Sequence, residues 1–220
     1  MKNIPRIYCD APLGVGVTVP ITRDVAHYLT RVMRTDTCLV FGAGIEYTAK
    51  LGGDGQSLDV GAATDHPDPS GDVTMYFAPI KKTDDLMNMA TQMGVAAFVP
   101  VMTDRTVAHH IHWDRMQKIV IEAAEQSGRN SVPKIYSPIK FSGLDMAGLA
   151  FGDERAAHGD LVGAARPGNR VLIGPEGGFS PAEFDALRAG GAIPVSLGKT
   201  ILRAEVAAVV MMAMTGRGDA

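Results

Sequence analysis

The sequence predicts an α/β protein in which a mostly parallel sheet covered by helices follows a smaller β module. Three observations carry this. Up to about residue 63, short apolar runs are punctuated by turn residues, as in a small barrel or sandwich. Beyond residue 72, buried-strand patterns alternate with amphipathic helix patterns, the signature of parallel sheets with helical crossovers. Between them, Thr64-Asp65-His66-Pro67-Asp68-Pro69-Ser70-Gly71-Asp72 is rich in proline, acid and glycine and reads as a linker. Placing the boundary inside that linker gives domains of residues 1–68 and 69–220.

In the first domain the expected strands are Arg6–Cys9, Val15–Val19, Cys38–Phe41, Tyr47–Leu51 and Leu58–Ala62, interrupted by a helix over Thr22–Met33 that ends in the basic cluster Arg31-Val32-Met33-Arg34. The second domain begins with a strand at Val73–Ala78, a helix at Asp84–Gln92 stopped by Gly94, and a buried strand at Ala96–Val101. Trp113–Ser127 places Met116, Ile119, Val120, Ala123 and Ala124 on one helical stripe, and Gly128 supplies a C-terminal stop. Strands follow at Leu149–Gly152, Arg170–Ile173 and Ile193–Leu197. The helix between the last two opens on Ser180-Pro181-Ala182-Glu183, a capping box with proline in the first turn, and closes at Gly190-Gly191.

Composition narrows the function classes. An apolar content of 46% suits a packed core, and a net charge of −3 argues against a strongly basic, non-specific nucleic-acid binder while leaving room for a local basic groove. The longest apolar runs, such as Val206–Met214, fall short of a membrane span, and the N-terminus has no charged-then-apolar signal pattern. The expectation is a cytoplasmic protein without membrane contact. Cys9 and Cys38 alone support neither a disulfide framework nor a cysteine zinc site. His109, His110 and His112 lack a carboxylate or cysteine at ligand spacing, so no metal site is expected.

The most informative stretch is 171–205. Two apolar strands end abruptly in glycine, at Gly174-Pro175-Glu176-Gly177-Gly178 and at Leu197-Gly198-Lys199-Thr200. Ligands of open α/β sheets sit at the carboxyl ends of strands, so two such ends close in sequence suggest one shared pocket. The first loop has neither the lysine-serine/threonine ending of a P-loop nor dinucleotide-turn spacing. Glu176 would also repel an anion and suits a cationic ligand. Leu197, Gly198, Ile201 and Leu202 offer an apolar, backbone-rich wall for a flat ring. A purine with a sulfonium-bearing tail meets both descriptions.

Four blocks, in order along the chain, resemble the bacterial small-subunit ribosomal RNA uridine-N3 methyltransferases of the SPOUT class. They are Pro5-Arg6-Ile7-Tyr8 with His27 and Arg31-Val32-Met33-Arg34; Glu122 to Pro133 (EAAEQSGRNSVP); Ile173 to Ser180 (IGPEGGFS); and Leu197 to Glu205 (LGKTILRAE). The resemblance implies a C-terminal SPOUT trefoil-knotted parallel-sheet domain with an N-terminal PUA-like β-barrel that helps hold RNA. It also implies S-adenosyl-L-methionine as cofactor, N3 of one uridine of 16S ribosomal RNA in the 30S subunit as target, and a homodimer built on the knotted domains, with Val206–Met214 as a candidate dimer face. The family usually has a glutamate in the helix before the glycine-valine pair, where this chain has Gln92-Met93-Gly94-Val95. It usually has threonine-glutamate-threonine where this chain has Ala204-Glu205-Val206. Other readings of the same blocks are a SPOUT enzyme acting on a transfer-RNA base or ribose, and a non-catalytic RNA-binding assembly factor.

The implied cofactor site is Leu172, Ile173, Gly174, Glu176, Gly177, Leu197, Gly198, Ile201 and Leu202. Methylating uridine N3 requires removal of a weakly acidic proton and stabilisation of charge developing on O2 and O4. Glu205 is the candidate base or base-orienting group. Arg203 is the candidate to stabilise the uracil anion or to orient Glu205, a helix-start ion pair of the two being the simpler alternative. Arg129 and Asn130 follow a predicted helix end, where a guanidinium and an amide can reach a phosphate or base edge, and the resemblance assigns them to RNA. Arg6, Arg31, Arg34, Lys81 and Lys82 are further candidates for the same basic groove.

Overall fold

The computed structural model describes residues 4–107, 112–153 and 167–215. The chain divides into two compact units: one runs to Ser70 and takes in Ala124–Val132, and the other comprises Gly71–Ala123 and the chain from Pro133 onward.

The first unit is a curled five-stranded sheet of β1 (Arg6–Tyr8), β2 (Thr18–Pro20), β3 (Thr37–Gly42), β4 (Ile45–Leu51) and β5 (Ser57–Ala63), in the order β1-β3-β4-β5-β2. All its pairings are antiparallel except β1 with β3. In β3 and β4, Cys38 faces Ala49 and Val40 faces Tyr47 across the ladder. These residues join Ile7, Val19, Leu29, Leu58 and Val60 in one core, as period-2 patterning dictates. A two-residue turn, Ala43-Gly44, closes the β3–β4 hairpin with both residues at positive φ, the combination that matches strand twist.

Two expectations shift here. The strand anticipated at Val15–Val19 forms at Thr18–Pro20 instead, with Val15 and Val17 exposed. The helix anticipated over Thr22–Met33 is capped by Thr22, whose Oγ1 accepts a bond from the Val25 amide. It is α-helical only over α1 (Arg23–His27), and Tyr28–Met33 widens to π geometry and stops at Arg34 in the left-handed region.

The second unit has β6 (Thr74–Phe77), α2 (Thr83–Gln92), β7 (Ala97–Met102), α3 (Trp113–Ser127), β8 (Lys134–Ile135), β9 (Ile139–Lys140), β10 (Ala150–Gly152), β11 (Arg170–Ile173), α4 (Pro181–Ala189), β12 (Ile193–Val195) and α5 (Ala204–Thr215); the last turn of α3 is grouped with the first unit. Its strands are parallel in the order β12-β10-β11-β6-β7-β8, with β9 also pairing β7. β7, β10 and β11 are near-continuous apolar runs, as expected for strands covered on both faces. One layer packs Leu172, Phe151, Phe179, Phe184 and Leu187, with Phe151 and Phe184 each edge-on to Phe179. α2 and α5 contribute Leu86, Met87, Ala90, Ala208, Met211 and Met212 to the buried set.

The capping box of α4 forms as its sequence indicates. Ser180 Oγ accepts from the Glu183 amide, while Glu183 Oε2 accepts from the Ser180 amide. Glu183 Oε1 also accepts from the Asp104 amide at 2.8 Å, tying the loop after β7 to the start of α4. This fixes the segment between the two glycine junctions, so both strand ends are held in place.

Candidate active site

The two glycine junctions open onto one cavity of about 640 Å³ in the second unit, a volume suited to a small-molecule ligand. It lies at the carboxyl ends of β10, β11 and β12 and beside the segment leading into α2, drawing on Gly152 and Asp153, on Ile173 to Gly178, on Leu197 to Glu205 and on Lys81 and Lys82. In this sheet the chain runs from β6 outward to β7 and later returns to the other side of β6 as β11. The cavity therefore sits where the winding reverses, the usual ligand position in open α/β sheets.

Of the residues assigned to cofactor binding, Ile173, Gly174, Glu176, Gly177, Leu197, Gly198, Ile201 and Leu202 line this cavity, as do Arg203 and Glu205. Leu172 does not: its side chain is fully buried in the aromatic core, because alternation along β11 turns it to the other face of the sheet from Ile173. A Cβ on Gly174 would lie 3.0 Å from the Phe179 ring, so the absence of a side chain lets the loop close over that core aromatic. Gly198 adopts φ +129°, and a Cβ there would meet nothing within 4 Å. Its backbone thus borders open space in a conformation that other residues rarely adopt.

The polar groups are unevenly engaged. Glu205 is 7% exposed and pairs with Lys82, Nζ to Oε1 being 3.6 Å. Its ion-pair partner among the described residues is thus Lys82 and not Arg203, whose side chain is exposed beside it. The carboxylate of Glu176 accepts a 2.9 Å bond from the Lys81 amide, and Thr83 Oγ1 both accepts from the Ile80 amide and donates to the Ile80 carbonyl. The turn carrying Lys81 and Lys82 is therefore pinned from both sides. Asp153 is 3% exposed, with Arg188 at 3.8 Å. Gly152-Asp153 was not read as part of the cavity, and Lys82 was a candidate only for the basic groove. The first ends an apolar run in glycine just as the other junctions do, so the same rule would have found it; Lys82 carries no local signal for the cavity.

The residues assigned to RNA divide sharply. Arg31, Arg34 and Lys81 are exposed. Arg129 and Asn130, expected on an accessible loop, are instead 1% and 0% exposed. Within the first unit Arg129 Nε donates to Ser70 Oγ. Asn130 accepts from Arg6 Nη2 at 2.7 Å, donates through Nδ2 to the His66 carbonyl, and donates through its amide to Asp68. Burial pushes the Arg129 guanidinium below its usual value, with Asp68 opposing the shift. Burial also pushes the Asp68 carboxyl up, but hydrogen bonds from Ser70, Ser131 and Asn130 outweigh it and leave the group below the ordinary carboxylate range.

Arg6 is likewise engaged. Its Nε donates to Glu46 at 2.7 Å, Nη1 to the Ala124 and Glu125 carbonyls, and Nη2 to the Arg129 carbonyl, with its guanidinium 4.5 Å from the Phe41 ring centroid. In this structure Arg6, Arg129 and Asn130 hydrogen-bond within the first unit. Their polar type suggested surface, but their partners, distant in sequence, bury them. Of the histidines discounted as ligands, His112 is exposed, and His109 and His110 lie outside the described residues.

A parallel α/β sheet with a glycine-walled cavity at its strand ends, a buried carboxylate on that wall and a separate β module defines a class of nucleotide-like-cofactor enzymes. The family model described as "RNA methyltransferase domain" matches residues 66–216, and the chain belongs to that RNA methyltransferase family. It is 34% identical to the ribosomal RNA small subunit methyltransferase E of Synechocystis sp. over 90% of this chain and 73% of that one. It is 30% identical to the Rickettsia conorii protein of the same name over 94% and 93%. Among solved structures, ribosomal RNA small subunit methyltransferase E from Neisseria gonorrhoeae, bound to S-adenosyl methionine, superposes with a TM-score of 0.82 at 27% identity over 96% of each chain. The fold is accordingly a C-terminal SPOUT knotted α/β domain with an N-terminal barrel.

Proposed function

We propose that this enzyme transfers a methyl group from S-adenosyl-L-methionine to N3 of a uridine in 16S ribosomal RNA of the small subunit. The observation that carries this reading is Glu205: a carboxylate 7% exposed on the wall of an otherwise largely apolar cavity, where an acceptor for a weakly acidic proton is required.

The residues present fit the cofactor. Leu197, Ile201, Leu202 and the unencumbered backbone at Gly198 suit a flat purine ring, and Asp153, Glu176 and Glu205 bring negative charge to the same cavity, favourable to a cationic sulfonium. When bound, the cofactor supplies an electrophilic methyl group whose transfer depends mainly on alignment. Gly174 and Gly198 shape the wall that provides this alignment. Glu205 accepts the N3 proton, and Arg203, exposed at the same mouth, offsets charge on the uracil oxygens.

Residues 1–68 act as a PUA-like RNA-holding domain and 69–220 as the methyltransferase domain. The exposed cations Arg31, Arg34 and Lys81 are the candidates for phosphate contact. The protein works in the cytoplasm as a homodimer through the apolar face of α5, where Val206 is 42% exposed; no helix among the described residues is long and apolar enough to cross a membrane. The test is transfer of labelled methyl to small subunits lacking the modification, followed by nucleoside identification. N3-methyluridine is expected, and a 2′-O-methyl product or cofactor binding without transfer refutes the assignment.

A further inference from the structure

We propose that Lys82 is a further catalytic residue, the counter-cation that pairs with Glu205 before proton transfer and with a uracil oxygen during it. The inference rests on the uridine-N3 reading above and goes beyond it by giving a catalytic role to a lysine that the sequence offered only as a candidate for the basic groove.

The geometry is specific. Lys82 Nζ stands 3.6 Å from Glu205 Oε1, and the two side chains are 52% and 9% exposed, so an accessible ammonium reaches inward to a buried carboxylate. The ammonium also lies 3.9 Å from Asp85, itself 60% exposed. The backbone that presents it is fastened by the Glu176 carboxylate on the Lys81 amide and by the reciprocal Ile80–Thr83 bonds. Such fastening is more than a solvated surface lysine needs, and preorganisation is what makes a charge effective in catalysis. Among the described residues, the charged groups sharing the cavity with Glu205 are Lys81, Lys82, Asp153, Glu176 and Arg203, with Asp85 beside Lys82.

Charge balance gives the ammonium its task. Before reaction, Lys82 is neutralised chiefly by Glu205. As the N3 proton passes to the Glu205 carboxylate, that residue becomes neutral and the negative charge moves to the uracil ring, spread over O2 and O4. Lys82 then exchanges one anion for the other, with Asp85 beside it throughout, and regains Glu205 once that residue gives up its proton to solvent. The N3 lone pair forms its bond to the methyl carbon as the carbon–sulfur bond breaks. The products are neutral N3-methyluracil, a neutral thioether and a proton on Glu205, with Lys82 still cationic. An ammonium delivered to this mouth thus offsets the uracil anion as it forms, an interaction made only once charge develops on the ring.

The experiment compares wild type, Lys82→Met and Lys82→Arg in single-turnover methylation of small subunits carrying uridine or 5-fluorouridine, whose N3–H is intrinsically more acidic. Lys82→Met is expected to lower the rate about 100-fold, as for loss of one oxyanion-stabilising donor, with cofactor affinity unchanged and Lys82→Arg recovering most of the rate. With 5-fluorouridine the Lys82→Met deficit should shrink about tenfold, because an anion that forms more readily needs less stabilisation. A Lys82→Met rate within threefold of wild type, or a deficit equal on both substrates, overturns the proposal. A structural role gives the latter result, and circular dichroism identifies a variant that has failed to fold, for which Lys82→Arg supplies the substrate comparison. If wild type yields a product other than N3-methyluridine, the underlying reading fails first. If the 5-fluorouridine substrate rescues Glu205→Gln but not Lys82→Met, that reading stands and the role of Lys82 falls.

Discussion

Replacing Arg6 by methionine removes the guanidinium that links β1, the Glu46 carboxylate and the chain from the last turn of α3 to Asn130. The side chain of Glu46 is 4% exposed and that of Arg6 12%, so the ion pair is largely withdrawn from solvent, and methionine of similar length leaves Glu46 uncompensated. Breaking a buried pair from one side costs about 3–5 kcal/mol. Glu46 retains only its Thr64 hydroxyl, at 2.8 Å, while Asn130 Oδ1 and the carbonyls of Ala124, Glu125 and Arg129 lose a donor. That is a substantial share of the roughly 5–15 kcal/mol that stabilises an ordinary domain. The assay is hydrogen exchange on β3 and β4 amides, which belong to the same unit. At about 1.4 kcal/mol per tenfold, protection should fall by roughly two to three and a half orders of magnitude. Adding Glu46→Gln should recover at least about 1 kcal/mol, since removing both charges is far cheaper than stranding one. A loss below about 1 kcal/mol for Arg6→Met, or strict additivity in the double variant, refutes the reasoning.

Glu205→Gln should lower the single-turnover rate about 10²–10⁴-fold while cofactor affinity, read by calorimetry, falls far less because Asp153 and Glu176 remain in the cavity; a rate within threefold of wild type removes the base assignment. Gly198→Ala forces an L side chain to φ +129° and should cost about 1–3 kcal/mol while weakening cofactor binding, so an unchanged melting temperature contradicts the backbone argument. Burial pushes the Cys38 thiol up to about 11, whereas Cys9 is only partly covered. One thiol per native chain should therefore react with a thiol reagent at pH 8, and two after unfolding. Because the folded state holds the Cys38 proton more tightly than the unfolded chain, this group's contribution to stability is complete below about 9 and is lost as pH rises through about 11. Unfolding midpoints that do not fall across that alkaline window sink the claim.

The second unit was the more legible in sequence. Its capping box, its alternating elements and its glycine-ended strands each follow from local rules, and three strand ends of the same kind converge in space because a parallel sheet puts all carboxyl ends on one edge. β8 and β9, with two residues each, are too short to show any period. A single π turn at Tyr28–Met33 leaves no mark distinguishable from an α-helix. The burial of Arg129 and Asn130 escaped the sequence for a different reason. Residue type reports exposure only on average, and these two are buried by Arg6, His66, Asp68 and Ser70, partners some 59 to 124 positions away. The pairing of Lys82, read only as a groove cation, was hidden for the same reason: its partner Glu205 lies far along the chain.

The departure at Val206 gains a physical reading from this geometry. A threonine there would have been a candidate to cap α5 or to order the cofactor's tail, yet Val206 is 42% exposed and is not part of the cavity wall, whereas Arg203, Ala204, Glu205 and Ala207 are. The residues of the first helical turn that face the cavity are thus small or charged, and the substituted one faces elsewhere. Glu205 sits in that first turn, where the helix dipole favours a carboxylate, and Lys82 lies against it. The chemistry at this helix start therefore depends on the fastened Ile80–Thr83 turn that delivers Lys82, and a change at that turn should disturb the site more than the missing hydroxyl does.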